Sequence, residues 1–540
     1  MTAAALAPHT RRQGVTPSGS PWTGTARLLL LALRRDRLRL SVWITLLTLM
    51  MVYAPNAIKL AYPEEAQRMA RVNLMKTPAA LMMGGPMFGG NETDLGAMMA
   101  NELMLTLIVA TSILSILTVI RHTRTEEESG AAELVLSSVV GRYARTLAAL
   151  ILVGGVNAIL AVTMTVAMSA TGFDFVDTAA MCLGVTGVAM VFGAVAAVTA
   201  QLWRQARTAT GAAMATLAVA ALVRGVGDVI TNSGSALSWF SPIAWAQQMR
   251  AFVDLRWWPF ALLVVLALGL MASATVLEGR RQYDAGNIPS SGEHPNAHPI
   301  KSTFGLHLTL QRGQTIGWGV GLFLGGLAFG SMTKSLLDAA KENELINRVL
   351  SAQGTDGVYT TMTQFLAAAA TAYAVGAVLR VYTDEEKGLG EAVLAGAVSR
   401  WRWLLTAVAA AVLGSALLML LAGLGNGLGA GITLGEPGTI VKLTLAGLAF
   451  VPAMAVLAGV AALAVAARRP WIGWLAVAFV VMSLYLGALL RLPQWLLDLS
   501  PVGQTTAPTD FPAAALAVMV VAATALTLIA GWMYRSRDAV

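Results

Sequence analysis

Two stretches of the 540-residue chain decide how it is organised: Thr125-Glu-Glu-Glu-Ser-Gly-Ala-Ala-Glu-Leu-Val-Leu-Ser-Ser-Val-Val-Gly-Arg142 and Thr383-Asp-Glu-Glu-Lys-Gly-Leu-Gly-Glu-Ala-Val-Leu-Ala-Gly-Ala-Val-Ser-Arg400. They align without a gap, each residue of the first having its counterpart 258 positions later, and nine of the 18 positions are identical. A repeat at constant spacing is typical of an internally duplicated protein. The sequence therefore predicts two homologous halves.

The composition around these stretches indicates that the halves lie in lipid. The chain is 56% apolar and only 12% charged, with a mean hydropathy of +0.66, whereas soluble domains carry roughly 25% charged residues. The apolar runs are continuous, unlike the alternating segments of about 10 residues in a membrane barrel. Cys182 is the single cysteine, and no His-Glu-x-x-His motif occurs, so no metal site is expected. We predict an all-α polytopic membrane protein.

About 12 runs are long enough to cross a bilayer core, which takes about 20 residues. They are Ser41–Leu60, Met98–Ile120, Thr146–Ala170, Thr178–Gln201, Thr208–Ile230, Trp258–Leu277, Gln314–Met332, Met362–Tyr382, Leu404–Gly425, Ile440–Ala467, Trp471–Leu490 and Phe511–Tyr534. The predicted chain is thus a disordered cytoplasmic tail (1–24), a six-helix half (25–277), a Pro-rich cytoplasmic linker (278–302) and a second six-helix half (303–540).

The basic residues predict the orientation. Most of the 37 Lys and Arg residues fall in segments that share one side of the membrane with both termini, which is the cytoplasmic side by the positive-inside rule. The Arg-rich stretch Thr25–Leu40 is expected to be an interfacial elbow helix on that side. The alternative is that it simply flanks the first membrane-spanning helix.

Each repeat copy has the pattern of a short amphipathic helix. Thr125 and Thr383 stand three residues before Glu128 and Glu386, as in a capping box at a helix start. Acidic residues near a helix start and an arginine near its end also suit the helix dipole. The helix is expected either to dock a partner protein or to cap a helical hairpin against lipid headgroups.

A family resemblance favours docking. Glu128-Ser-Gly-Ala-Ala-Glu133 and Glu386-Lys-Gly-Leu-Gly-Glu391 resemble the Glu-x-Gly-Thr-x-Glu-x-Leu segment of type-two ABC exporter permeases, although Ala131 and Leu389 replace its threonine. In that family the segment forms a coupling helix that rests on the ATPase subunit. The resemblance implies ATPase-coupling roles for Glu126, Glu127, Glu128, Gly130, Glu133, Arg142, Asp384, Glu385, Glu386, Gly388, Glu391 and Arg400.

Two Ser-Pro pairs extend the resemblance. Ser241-Pro242 precedes the sixth predicted span and Ser500-Pro501 precedes the twelfth. In such permeases a Ser-Pro segment before the last span lies outside the cell and forms an external gate. The alternative is a helix that starts at proline. The fused arrangement of two six-helix halves most resembles actinobacterial exporters of polyketide antibiotics and other drugs.

Other features constrain the energy source and the interior. The chain contains no Gly-x-x-x-x-Gly-Lys-Ser/Thr phosphate loop, so ATP and Mg²⁺ are expected in a partner, two copies of a separate ABC ATPase, and no catalytic residue or cofactor is expected in this chain. Arg224 and Asp228 are one helical turn apart, which predicts an intramembrane ion pair. Gly321-x-x-x-Gly325 predicts close helix packing. Seven methionines could line a cavity or simply pack: Met98, Met99, Met104, Met164, Met168, Met190 and Met214.

The predicted function is the permease subunit of an ATP-driven exporter in a bacterial plasma membrane. Its cargo would be amphipathic or hydrophobic, because the predicted spans contain few charges, and the basic isoelectric point needs no nucleic acid to explain it. Substrate-binding residues are not identified by the sequence. Three alternatives remain open: an ion-coupled secondary transporter, an intramembrane enzyme that modifies lipids, and a scaffold or sensor.

Overall fold

The computed structural model describes residues 20–76, 78–88, 93–130, 140–281, 286–288, 302–342, 344–396, 398–485, 493–508 and 511–536. Within these ranges the chain is helical and contains no strand. Residues 1–19 of the predicted tail (1–24), and most of the predicted linker (278–302), lie outside the described residues. By its contacts the chain divides into two compact units, Met1–Met69 with Leu81–His294, and Ala70–Ala80 with Pro295–Val540.

The first unit contains six long helices. Its helices are α1 Thr25–Ala61, α4 Leu95–Ile120, α5 Ala144–Ser169, α6 Phe175–Leu202, α7 Ala206–Ile230, α8 Pro242–Gln247 and α9 Trp258–Arg280. Between α1 and α4 lie the short helices α2 Glu65–Met75 and α3 Pro78–Gly84, which include residues of the Ala70–Ala80 segment assigned to the second unit. One π-helical turn, Arg121–Thr125, continues α4 to Glu128. Buried Leu107, Met164 and Val188 lie in a hydrophobic core to which α4, α5 and α6 all contribute.

The second unit follows the same order. Its helices are α10 Thr303–Glu342, α11 Glu344–Glu386, α12 Leu389–Leu394, α13 Arg400–Leu434, α14 Gly438–Leu448, α15 Val451–Ala466, α16 Trp471–Tyr485, α17 Gln494–Leu497 and α18 Ala513–Arg535. Buried Tyr373, Leu418 and Ala458 belong to its core, from α11, α13 and α15.

The structure confirms an all-α protein that crosses the membrane many times. Among the described residues, 11 helical segments are long and apolar enough to span a bilayer, and α16 is a shorter apolar helix at the eleventh predicted span. Equivalent spans of the two units are buried to the same extent. In both units, 22% of the most apolar window is buried in the first span, 67% in the second span and 17% in the last span. This repetition agrees with the duplication seen in the sequence.

One sequence expectation about these helices is wrong. The basic segment Thr25–Leu40 is not a separate elbow helix, because α1 runs unbroken to Ala61 and buries one stripe that includes Ala32, Asp36, Leu40 and Leu47. At 37 residues, or roughly 55 Å, α1 is longer than the bilayer core of about 30 Å, so its basic end is the flank of the first span.

The predicted span Ile440–Ala467 is present as the apolar segment Gly438–Ala466, which contains one local turn. It is divided into α14 and α15 by a turn at Ala449 and Phe450, and Pro452 occupies the first turn of α15. Proline has no backbone N–H and is best tolerated in the first turn of a helix. The corresponding helix of the first unit, α6, has Ala194 at the equivalent position and is continuous.

Helices α10 and α13 approach each other so closely that glycine is required. A Cβ atom on Gly330 would lie 2.0 Å from the carbonyl oxygen of Asn426, and one on Gly425 would lie 2.1 Å from that of Phe323. The glycines that make this contact are not the predicted Gly321 pair, since a Cβ on Gly321 would meet nothing within 4 Å. The close contacts of Gly330 and Gly425 therefore identify the face of α10 that packs against α13.

We expect Gly330→Ala and Gly425→Ala each to destabilise the protein by about 1–3 kcal/mol, because the new methyl group overlaps backbone that cannot move aside. Thermal unfolding of the purified protein in detergent would measure the loss. Gly321→Ala is the matched control on α10, and it should be neutral or slightly stabilising because alanine favours helix over glycine. Equal losses in all three variants would contradict the assigned packing face.

Candidate functional site

Both repeat copies end a membrane-spanning helix. Thr125 lies in the π-helical turn that extends α4, and Thr383 lies inside α11, so the predicted capping boxes are wrong. The chain leaves each helix at a glycine in the left-handed conformation, Gly130 with φ 72° and Gly388 with φ 68°. Such a glycine is a common helix terminator. We call residues 126–130 and 384–388 the two acid loops.

Placing acidic residues at the end of a helix, rather than its start, is unfavourable for the helix dipole. Glu127 is nevertheless buried, with 1% of its side chain exposed. Its oxygens accept hydrogen bonds of 2.7 and 2.8 Å from Arg281, and they lie 3.2 Å from Arg124 and 3.8 Å from Arg145. Glu127 therefore joins the end of α4 to the start of α5 and the end of α9.

The neighbouring acids are also bound within the chain. Glu126 lies 3.0 Å from Arg35 on α1 and 3.3 Å from Nδ1 of His122. The Glu128 carboxylate accepts a 2.6 Å hydrogen bond from the backbone N–H of Ala206, the first residue of α7. There it stabilises the free donors and the positive dipole end of that helix. The first acid loop thus contacts α1, α5, α7 and the end of α9.

Asp36 completes this cluster and was not identified from the sequence. It is 1% exposed on α1, with its carboxylate 2.9 Å from Nε2 of His122, 3.1 Å from Arg121 and 3.6 Å from Arg39. The signal that could have identified it is its isolation: Asp36 is the only acid in the Arg-rich start of α1. A lone acid among arginines on a buried stripe is expected to be paired.

The second acid loop has the same backbone but different partners. Glu385, the counterpart of Glu127, accepts a hydrogen bond from the hydroxyl of Tyr534 near the end of α18. Asp384 lies 3.5 Å from Arg380, whose guanidinium also donates to the carbonyl of Leu310 on α10 at 2.8 Å. Both loops therefore bind the end of the last helix of their own unit, the first through arginine and the second through tyrosine.

The predicted amphipathic helix is present in the second copy, starting later than expected. It is α12, which begins at Leu389 directly after Gly388. Gly390 is buried, while Leu389 is 60% exposed and Glu386 and Glu391 are exposed. The corresponding residues of the first copy, 131–139 with Glu133, lie outside the described residues.

The two predicted arginines lie beside these elements. Arg142 donates hydrogen bonds of 2.9 Å to the carbonyls of Glu278 and Arg281, which holds it at the end of α9. Arg400 is the half-buried first residue of α13. Among the described residues, no group of three or more His, Cys, Asp or Glu side chains could hold a metal ion.

The Ser-Pro pairs lie before the last long helix of each unit. Ser241 is buried and caps α8, accepting a hydrogen bond from the N–H of Ile243, so Pro242 starts a short helix. Ser500 is also buried, but Pro501 begins a turn and not a helix. The proline-started helix therefore applies to the first pair alone.

Arg224 and Asp228 lie 3.2 Å apart, buried, as their spacing predicts. Arg224 also donates to the backbone carbonyls of Leu81 and Met82, and Asp228 accepts a 2.7 Å hydrogen bond from Ser238. The pair thus attaches two connecting segments to the end of α7. Of the seven methionines, five are buried in the core and serve packing: Met98, Met99, Met104, Met164 and Met168.

Comparison with known proteins gives a relative of nearly the whole chain and a family model that matches the second half. The multidrug efflux system permease protein Rv1217c of Mycobacterium tuberculosis (strain ATCC 25618 / H37Rv) is 36% identical over 538 residues, covering 96% of each chain. The family model described as the C-terminal domain of the multidrug efflux system permease Rv1217c matches residues 300–535. The similarity therefore extends over both halves, and the family model includes the second acid loop.

The two acid loops should differ in their importance for stability. We expect Glu127→Gln to destabilise the protein by about 3–5 kcal/mol, because it removes the negative charge from a buried group of arginines. The matched variant Glu385→Gln removes the counterpart that binds a tyrosine hydroxyl, and it should cost about 1 kcal/mol. Thermal unfolding in detergent, followed by intrinsic fluorescence, measures both. Equal shifts of the two variants would contradict the role assigned to Glu127.

Proposed function

The chain belongs to the family of multidrug efflux system permeases, and from that membership we propose that it is the membrane subunit of an ATP-driven exporter. Its cargo would be an amphipathic or hydrophobic compound, such as an antibiotic, a drug or a lipid-like molecule. Both termini would lie in the cytoplasm of a bacterium, with the acid loops on the same side. The helices would alternate between inward-facing and outward-facing arrangements.

The energy would come from two copies of a separate ABC ATPase, which would bind ATP and Mg²⁺. The chain has no phosphate loop of its own, and it presents two equivalent acid loops with the same glycine conformation. Two similar docking elements suit two copies of one partner. Glu391, Glu386 and Leu389 are exposed beside Gly388, so the second loop offers both charge and apolar surface to that partner.

The observation that supports coupling most directly is the attachment of each acid loop to distant helices. Glu127 bonds to Arg281 beyond α9, and Glu385 bonds to Tyr534 of α18. A displacement of either loop by an ATPase would therefore be transmitted to the end of the last helix of its own unit. This mechanism requires nucleotide and cargo each to favour one of two global states. Ser241, Pro242, Ser500 and Pro501 remain our candidates for an external gate.

We expect the double charge reversal Glu386→Lys with Glu391→Lys to weaken capture of the ATPase at least about tenfold, because like charges oppose complementary docking. Affinity purification of the full chain from membranes, followed by quantification of the co-purified ATPase, measures the effect. Cargo-stimulated ATP hydrolysis in liposomes should fall with it.

The control is Glu436→Lys, a reversal at another exposed glutamate of the second half, in the loop between α13 and α14. It should leave capture unchanged. Transport by the purified chain alone under an ion gradient, with no ATPase present, would instead show a secondary transporter and overturn the proposal.

A further inference from the structure

A groove of about 730 Å³ lies between α10 and α13 in the second half. Leu308, Ile316, Leu413, Leu417 and Leu420 line it, and Leu448 at the end of α14 also contributes. The polar side chains in its lining are Thr309, Arg312 and Thr315. The lining of the groove is thus mostly apolar, and its one charged side chain is Arg312.

The groove follows from how the two helices pack. Where Gly326 and Gly330 face the backbone of Ala422 and Asn426, the helices are in direct contact. Nearer their N-terminal ends this glycine contact is replaced by larger residues, among them Ile316 and Leu413, which are 56% and 52% exposed. Helices joined by glycine at one end and separated by bulky side chains at the other leave a tapering space.

Arg312 is the distinctive group of this groove. Its side chain is exposed, and it forms no ion pair or hydrogen bond with the part of the chain that the structure describes. The Thr309 hydroxyl donates to the carbonyl of Gly305 at 2.8 Å, and the Thr315 hydroxyl bonds to Gln311 and Tyr373. The guanidinium is therefore the donor that the groove offers to a ligand.

The position of Arg312 indicates the kind of ligand. It lies two residues before Gln314, the predicted inner boundary of the first span of this half. Leu417 and Leu420 lie further along α13, in the direction of the bilayer interior. A cation at the cytoplasmic edge of the bilayer faces the headgroup region, and basic pockets between helices on the cytoplasmic side bind anionic headgroups. A phospholipid matches this arrangement, because its charged headgroup lies at the membrane surface and its acyl chains lie below it.

We propose that the groove between α10 and α13 binds one anionic phospholipid of the inner leaflet. Its phosphate pairs with Arg312, and an acyl chain lies over Leu413 and Leu417. The leaflet assigned here rests on the orientation in the proposed function, whereas the preference for an anionic headgroup rests on Arg312 alone. A volume of about 730 Å³ also suits a drug-sized molecule, but the exposed arginine at the bilayer edge favours the lipid.

The test is a lipid titration of the purified full chain in detergent, with native mass spectrometry counting the bound molecules. Phosphatidylglycerol should fill one tight site, and phosphatidylcholine should not. Arg312→Gln should weaken phosphatidylglycerol binding about fivefold, the size of effect known for one basic residue near anionic lipid. Leu417→Trp, which keeps the charge and fills the groove, should also weaken it.

The matched control is Arg402→Gln, which removes an exposed arginine of the same half that does not line the groove. Equal weakening by Arg402→Gln and Arg312→Gln would overturn the proposal, as would unchanged binding to the Leu417→Trp variant. So would equal binding of the two lipids to the wild-type chain. Failure to capture an ATPase would not alter these lipid results, so the two proposals fail separately.

Discussion

A carboxylate surrounded by guanidinium groups fixes the arrangement of the first half. Glu127 is buried among Arg124, Arg145 and Arg281, and none of these charges can be separated from the others without leaving an uncompensated ion in a poorly solvated place. The end of α4, the start of α5 and the end of α9 therefore stay together. The position of the acid loop follows from this constraint, since Glu126 and Glu128 are held against α1 and α7 by the same short segment.

Most of the helical framework could be predicted from the sequence, because lipid requires long apolar helices and their lengths are visible in the chain. The errors arose where a local pattern had two meanings. Thr125 and Glu128 have the spacing of a helix start, yet they belong to the end of the preceding helix. The contact that decides between the meanings joins Glu127 to a residue 154 positions away, and no local pattern shows it. The span Ile440–Ala467, by contrast, was predicted correctly, and Pro452 accompanies the local turn inside it.

From the sequence duplication we expected the two halves to be equivalent. Their backbone conformations are similar, but the interactions of their side chains differ. Gly130 and Gly388 have nearly the same conformation, and the burial of the first, second and sixth spans repeats. The side chains have diverged: an arginine group surrounds Glu127, while a tyrosine hydroxyl bonds to Glu385. The close packing of α10 on α13 depends on glycines such as Gly330, whereas the α5 positions equivalent to Gly425 and Gly429 are Ala167 and Thr171, at and beyond the end of that helix. Similar loops are thus supported by different interiors.

Backbone atoms cannot move aside by changing rotamer. The contact between Gly330 and the backbone of Asn426 therefore fixes the position of α10 against α13. The contact extends from Gly326 to Gly330 on α10 and from Gly425 to Gly429 on α13. Because backbone meets backbone along this whole stretch, we expect the two helices to move together as one unit.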